Sequence, residues 1–217
     1  NFFSAAGLTL FVALLLAAHQ ESYRDELTGI PGKLAYDQTV AGLGSQYVLA
    51  VVGIDQLKQY GIQHGKAVSE QMLRLIAPKI LASAGGGKVH RLAGEEFTVL
   101  YPRKSTTATL VNLEAMRKVV ADAELYVRGR ERVWERGATG RTKASDVALP
   151  ATVSIGVAEP GEARPSLALV TKAAYRALYE AKGEGGNRVK RGIVSTEISK
   201  AVPDPAGRIV TYSEFEP

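Results

Sequence analysis

Residues 89–102, Val-His-Arg-Leu-Ala-Gly-Glu-Glu-Phe-Thr-Val-Leu-Tyr-Pro, constrain the fold more than any other stretch of the chain. Short β-prone apolar runs flank Ala93-Gly94-Glu95-Glu96, and small residues with a glycine between such runs are a hairpin signal. The tip carries two adjacent carboxylates. Glutamate is a poor strand residue, and neighbouring like charges repel unless something cationic sits beside them. The residues alone leave two readings open. One is a solvated turn; the other is a hard-cation site of the Mg²⁺ kind, built from carboxylates plus substrate phosphates.

The wider composition narrows the classes. A chain of 217 residues with 46% apolar and 23% charged residues is globular, one domain with appendages. Cysteine is absent, which excludes a disulfide framework and thiolate metal sites. His19, His64 and His90 lie far apart, without zinc-like spacing. The net charge of +5 is mild and names no partner.

Residues 2–18 are apolar except for Ser4 and Thr9, with Leu8, Leu10, Val12, Leu14, Leu15 and Leu16 spread around every helical face. A helix apolar all round is buried or in a membrane. The stretch sits at the short limit of about 17–25 residues for a span. It lacks the basic start of a signal peptide. We expect residues 1–22 to be the end of a transmembrane helix and its linker, continued upstream in a longer protein.

Beyond it, Gly29, Pro31 and Gly32 make a tight turn, and residues 34–43 read as a short amphipathic helix. Residues 46–52 are a near-continuous apolar run, as expected of a central strand covered on both faces. A short helical turn over 56–63 and a helix over 68–81 follow, the latter with Met72, Leu73, Ile76 and Ile80 in helical period. After a Gly85-Gly86-Gly87 break comes the hairpin, then a helix over 106–125. Residues 126–147 collect Arg128, Arg130, Arg132, Arg136, Arg141 and Lys143 around Trp134 without period, a solvated loop or protruding hairpin. Residues 152–157 alternate as a strand, 168–182 form a helix, and 188–190 suit a short final strand. Asp204-Pro205-Ala206-Gly207 marks a turn in the tail. Helices interleaved with strands that include a hairpin suggest an α+β fold with a central, mostly antiparallel sheet flanked by helices, as in ferredoxin-like and nucleotide-cyclase palms.

These stretches together resemble a GGDEF domain, the family of diguanylate cyclases that join two GTP molecules into cyclic di-GMP. The likeness is carried, in order, by Asp25-Glu26-Leu27-Thr28-Gly29, Ile54-Asp55-Gln56-Leu57-Lys58, the signature Ala93-Gly94-Glu95-Glu96-Phe97, Val153-Ser154-Ile155-Gly156-Val157, and Ala177-Leu178-Tyr179-Glu180-Ala181-Lys182. The domain would span residues 23–191, with 126–147 as a basic insertion and 192–217 as a tail. Membrane anchoring in such proteins implies the bacterial inner membrane with this domain in the cytoplasm. Turnover in the family implies GTP, Mg²⁺ and an antiparallel homodimer; other signalling proteins are the natural partners, and no nucleic acid is expected.

The resemblance implies Glu96 as the catalytic acid and Glu95, the Ile54 carbonyl and Asp55 around the metal. Nucleotide contacts fall on Ala93, Gly94, Leu57, Lys58, Glu70 and Lys182. The match is uneven. The strand-end aspartate of the family is Gly53 here, so a metal-binding carboxylate is missing, and Asp55 would need another backbone path to reach the same ion. The guanine-reading asparagine is Gly61, its partner is Glu70, and a second phosphate-binding arginine is Gly186. The Arg-x-x-Asp motif of product inhibition falls on Ala84 and Gly87 and is absent. Losing a metal ligand removes the ion that positions phosphates and offsets charge. We therefore expect a degenerate, catalytically impaired domain acting as a GTP-binding or protein-interaction module. The alternative is an active diguanylate cyclase with a modified metal site using Asp55, Glu95 and Glu96. A further alternative is a basic surface module, the arginine-rich insertion touching anionic lipid or protein.

Overall fold

The computed structural model describes residues 23–128, 146–161, 165–194, 202–203 and 209–210. Its elements run α1 (Lys33–Ala41), β1 (Tyr47–Ile54), α2 (Leu57–His64), α3 (Lys66–Ser83), β2 (Lys88–His90), β3 (Glu96–Pro102), α4 (Thr106–Ala121), β4 (Glu124–Arg128), β5 (Asp146–Pro150), β6 (Val153–Ala158), α5 (Leu167–Gly183) and β7 (Val189–Arg191). A central five-stranded sheet has the order β2-β3-β1-β6-β7. All its pairs are antiparallel except β6 with β7. This is the α+β palm with a mostly antiparallel sheet that the residue pattern suggests.

β1 is continuously apolar because both its faces are covered. Val48, Ala50, Val52 and Ile54 pack against α2, α3 and α4 through Tyr60, Met72, Ile76, Ile80, Leu113 and Met116. Tyr47, Leu49 and Val51 face α1 and α5 through Tyr36, Val170, Ala173, Ala174 and Leu178. Strand side chains alternate, so residue parity on β1 tells which helical layer each one meets. The odd face continues through Gly53 to Asp55, and that is the α5 face.

Gly156 sets how closely α5 can lie. A Cβ there would come within 2.0 Å of the Ala174 carbonyl oxygen and 2.4 Å of the Leu178 nitrogen. The helix backbone therefore rests directly on β6, which explains a glycine inside an otherwise apolar strand.

Helix α4 is shorter than its pattern suggests. It ends at Ala121, with Asp122 as the cap, and residues 124–128 turn into β4, which pairs with β5 from Glu124↔Pro150 to Arg128↔Asp146. The basic insertion is thus rooted in an antiparallel ladder; residues 129–145 lie outside the described residues. So does the expected membrane helix in residues 1–22, and among the described residues no helix is long and apolar enough to cross a membrane. The tail turn at 204–207 is also outside them, while its flanks pair as Val202↔Val210 and Pro203↔Ile209.

Candidate active site

The hairpin tip is held from below by Arg91. Its guanidinium donates to Oδ1 of Asp25 (2.5 Å) and to the Gly94 carbonyl (2.5 Å), and its backbone nitrogen donates to the Pro31 carbonyl (2.9 Å). Asp25 also accepts from the Thr28 backbone nitrogen (2.9 Å) and hydroxyl (2.5 Å). Burial would raise the Asp25 carboxyl, but the hydrogen bonds from Thr28 and Arg91 outweigh it and hold the group below the usual carboxylate range. Residues 25–29 and the tip are thereby one unit. Gly94 adopts a φ of 65°, a left-handed conformation that favours glycine, and open space lies where its Cβ would be.

The two acids at the tip face different surroundings. Glu96 stands directly across the ladder from Gly53, so both lie on the α5 face. It accepts a hydrogen bond from the Tyr175 hydroxyl on α5. Burial pushes its carboxyl up, the Lys182 charge and the Tyr175 bond pull the other way, Glu95 adds to the rise, and Lys58 opposes it. Burial also pushes the Tyr175 hydroxyl far above the ordinary phenol range, reinforced by the Glu96 charge. Glu95 instead meets Lys182, whose Nζ is 3.5 Å from Oε1; the Lys182 side chain is 14% exposed and that of Glu95 23%.

Lys182 lies over Gly53. A Cβ on Gly53 would sit 2.8 Å from Cε and 3.0 Å from Nζ of Lys182, and 3.2 Å from Cδ2 of Leu178. With no side chain at Gly53, the end of a lysine from α5 occupies that space. Tyr175 and Lys182 are two helical turns apart on one face of α5. That spacing was a usable signal for Tyr175, which the sequence reading did not single out.

Asp55, expected around the metal, is engaged within the protein. Its carboxylate accepts from the Thr152 hydroxyl (2.8 Å), the Ser154 hydroxyl (2.8 Å) and the Asn187 backbone nitrogen (2.9 Å), and it is 8% exposed. It ties the end of β1 to β6 and to the loop after α5. Gly186 in that loop has a φ of 75°, and a Cβ there would be 2.9 Å from Asp55 Oδ2. An arginine at this position would be strained and would collide with the anchor.

The remaining expected contacts are spread out. Ile54 and Leu57 bury their side chains in the core on the face away from α5, while Lys58 is exposed. Ala93 is exposed beside Gly94. Glu70 on α3 is ion-paired with Lys66 at 3.5 Å. A Cβ on Gly61 would meet the Ser69 hydroxyl at 2.6 Å, so Ser69 fills the place of a longer side chain. A Cβ on Gly87 would come within 2.6 Å of both Val99 and Tyr101, which leaves no room for the aspartate of a product-inhibition motif.

Mg²⁺ is commonly held by one or two carboxylates together with substrate phosphates. Here Gly53 supplies no carboxylate, Asp55 is taken up by three donors, and Glu95 already has an ammonium against it. Among the described residues, no group of three or more His, Asp or Glu side chains converges to hold an ion. The residues present do not fit the ordinary metal set.

Comparison with known proteins agrees with the fold. A family model described as "Diguanylate cyclase, GGDEF domain" matches residues 22–188. The diguanylate cyclase VdcA of Vibrio cholerae is 28% identical over 179 residues, covering 81% of this chain and 48% of that protein. Diguanylate cyclase DgcM of Escherichia coli is 28% identical over 181 residues, covering 77% of this chain and 38% of that protein. The chain thus spans half or less of these relatives' lengths. Among solved structures, the coiled coil and GGDEF domain of DgcB from Caulobacter crescentus, in complex with c-di-GMP, superposes with a TM-score of 0.70 at 25% identity, covering 87% of this chain and 95% of that one. The five-stranded sheet and its two helical layers are therefore a shared architecture, and the chain belongs to the GGDEF domain family of diguanylate cyclases.

Proposed function

We propose that this domain is a guanine-nucleotide-binding signalling module of impaired cyclase activity, tethered at the cytoplasmic side of a bacterial inner membrane by residues 2–18. The observation that carries the reading is Lys182 lying over Gly53 with its ammonium on Glu95. Cyclisation needs cations to offset charge developing on the transferred phosphoryl group. The chain lacks the strand-end carboxylate that would help to hold them. The asparagine side chain that would read guanine is also absent at Gly61. A lost base-specific hydrogen bond weakens binding by about 1–3 kcal/mol, and losses around one substrate compound.

What remains suits recognition of phosphate. Gly94 presents open backbone at the tip, and Lys182 and Lys58 bring positive charge to the acids there. The diguanylate cyclases among the relatives, and the neighbour solved with c-di-GMP, support cyclic di-GMP signalling as the context; the proposed output is a protein partner in place of product. Incubating the purified protein with GTP and Mg²⁺, and separating the nucleotides chromatographically, tests the proposal. We expect unconsumed GTP. Cyclic di-GMP formation that Glu96→Gln abolishes would establish the alternative, an active diguanylate cyclase with a modified metal site.

A further inference from the structure

We infer that the hairpin site takes a nucleoside triphosphate without a divalent cation, the Lys182 ammonium acting where the metal would. The inference rests on the nucleotide-binding reading above and goes beyond it in assigning the cation.

The room comes from Gly53. On the α5 face of β1, any side chain at 53 would occupy the space now filled by Cε and Nζ of Lys182 and by Leu178. Without one, the end of the lysine sits over Gly53, and its ammonium reaches Glu95 on the hairpin from α5. An aspartate in that place would displace the flexible end of Lys182, because a 2.8 Å approach is too close to persist.

Charge balance makes the same point. The tip carries Glu95 and Glu96; Lys182 stands 3.5 Å from Glu95, and both Lys182 and Lys58 act on Glu96. One ammonium thus already contacts Glu95, and positive charge from Lys182 and Lys58 already acts on Glu96. Bringing in a divalent ion would put it beside an ammonium already in a partly buried position, where like charges are poorly screened. Lys182 is also in the last turn of α5, the helix end that favours a cation.

A triphosphate meets the opposite situation. An ammonium has three donors and binds phosphate as a point charge. Glu95 engages Lys182 at a long 3.5 Å, leaving donors for phosphate oxygens. The exposed Lys58 offers a second ammonium, and the glycine at 94 lets phosphate approach the backbone. The ligand class is a nucleoside triphosphate bound as the free anion.

Calorimetry on the full chain decides it, using GTP in EDTA, GTP with Mg²⁺, and Mn²⁺ alone. We expect GTP affinity to agree within about twofold between EDTA and Mg²⁺, and no saturable Mn²⁺ binding. Lys182→Met should weaken GTP in EDTA by about tenfold or more, and Lys182→Arg, which keeps the charge, by less. Gly53→Asp should create Mn²⁺ binding and make GTP affinity depend on Mg²⁺. GTP binding about tenfold tighter with Mg²⁺, or saturable Mn²⁺ binding by the unaltered protein, would overturn the inference and leave the nucleotide reading intact. Unchanged GTP affinity in Lys182→Met would also overturn it. Absence of GTP binding in both buffers would overturn the nucleotide reading itself.

Discussion

Arg91 and Asp25, 66 positions apart in the chain, meet at 2.5 Å, and the same guanidinium holds the Gly94 carbonyl at the hairpin tip. The segment that enters the domain and the loop that carries its signature acids are therefore braced by one side chain, only 9% exposed.

Arg91→Ala should destabilise the domain by about 2 kcal/mol, since the partly buried Asp25 carboxylate and the Gly94 carbonyl lose a charged donor. Denaturant unfolding checks it. Because Asp25 has a depressed carboxyl, the stability from this pair is fully present above the unfolded aspartate value of 3.8 and is lost as pH falls through the lower folded value. The variant should show a flatter stability profile on the acid side of that value than the unaltered protein.

Glu96 predicts the opposite slope in a separate window. Its folded carboxyl is raised, so between the unfolded value of 4.5 and the raised folded value the native state holds more protons than the unfolded chain. Stability contributed by its protonated form is then lost as pH rises across that window. Glu96→Gln should remove this slope, measured as chemical unfolding at a series of pH values. A Tyr175→Phe variant should deepen it, because the hydroxyl that favours the ionised carboxylate is gone.

Asp55→Ala should cost about 3 kcal/mol by leaving the Thr152 and Ser154 hydroxyls and the Asn187 nitrogen without their shared acceptor. Asp55→Asn should cost less, since the amide oxygen still accepts and the hydroxyls can rotate. If Asp55 were a metal ligand instead, either change would alter Mn²⁺ binding; we expect none in calorimetry.

Gly156→Ala should be severe for one methyl group, about 3 kcal/mol or more, because the new Cβ meets helix backbone and not a flexible side chain. Guanidinium melts would show it. Gly94→Ala, also one methyl, should cost about 1 kcal/mol from its positive φ, with no neighbour to strike.

Local chemistry made much of this protein legible. The continuous apolar run at 46–52, the alternation along 152–157, the helical period of 168–182 and the small residues between two β-prone runs all act over a few bonds, so they specified the sheet, α5 and the hairpin. Matching motifs then located Glu95, Glu96 and Lys182 as one site and Gly53 as a gap in it. What filled that gap was not legible, because Lys182 and Gly53 meet only when α5 settles onto β1. Asp55 shows the same limit: the family resemblance set it near the metal, and its partners Thr152, Ser154 and Asn187 come from the far end of the chain. Periodicity tells which face a side chain leaves by. Which atoms wait on that face depends on contacts between distant segments, and those decided that an ammonium lies beside the hairpin acids.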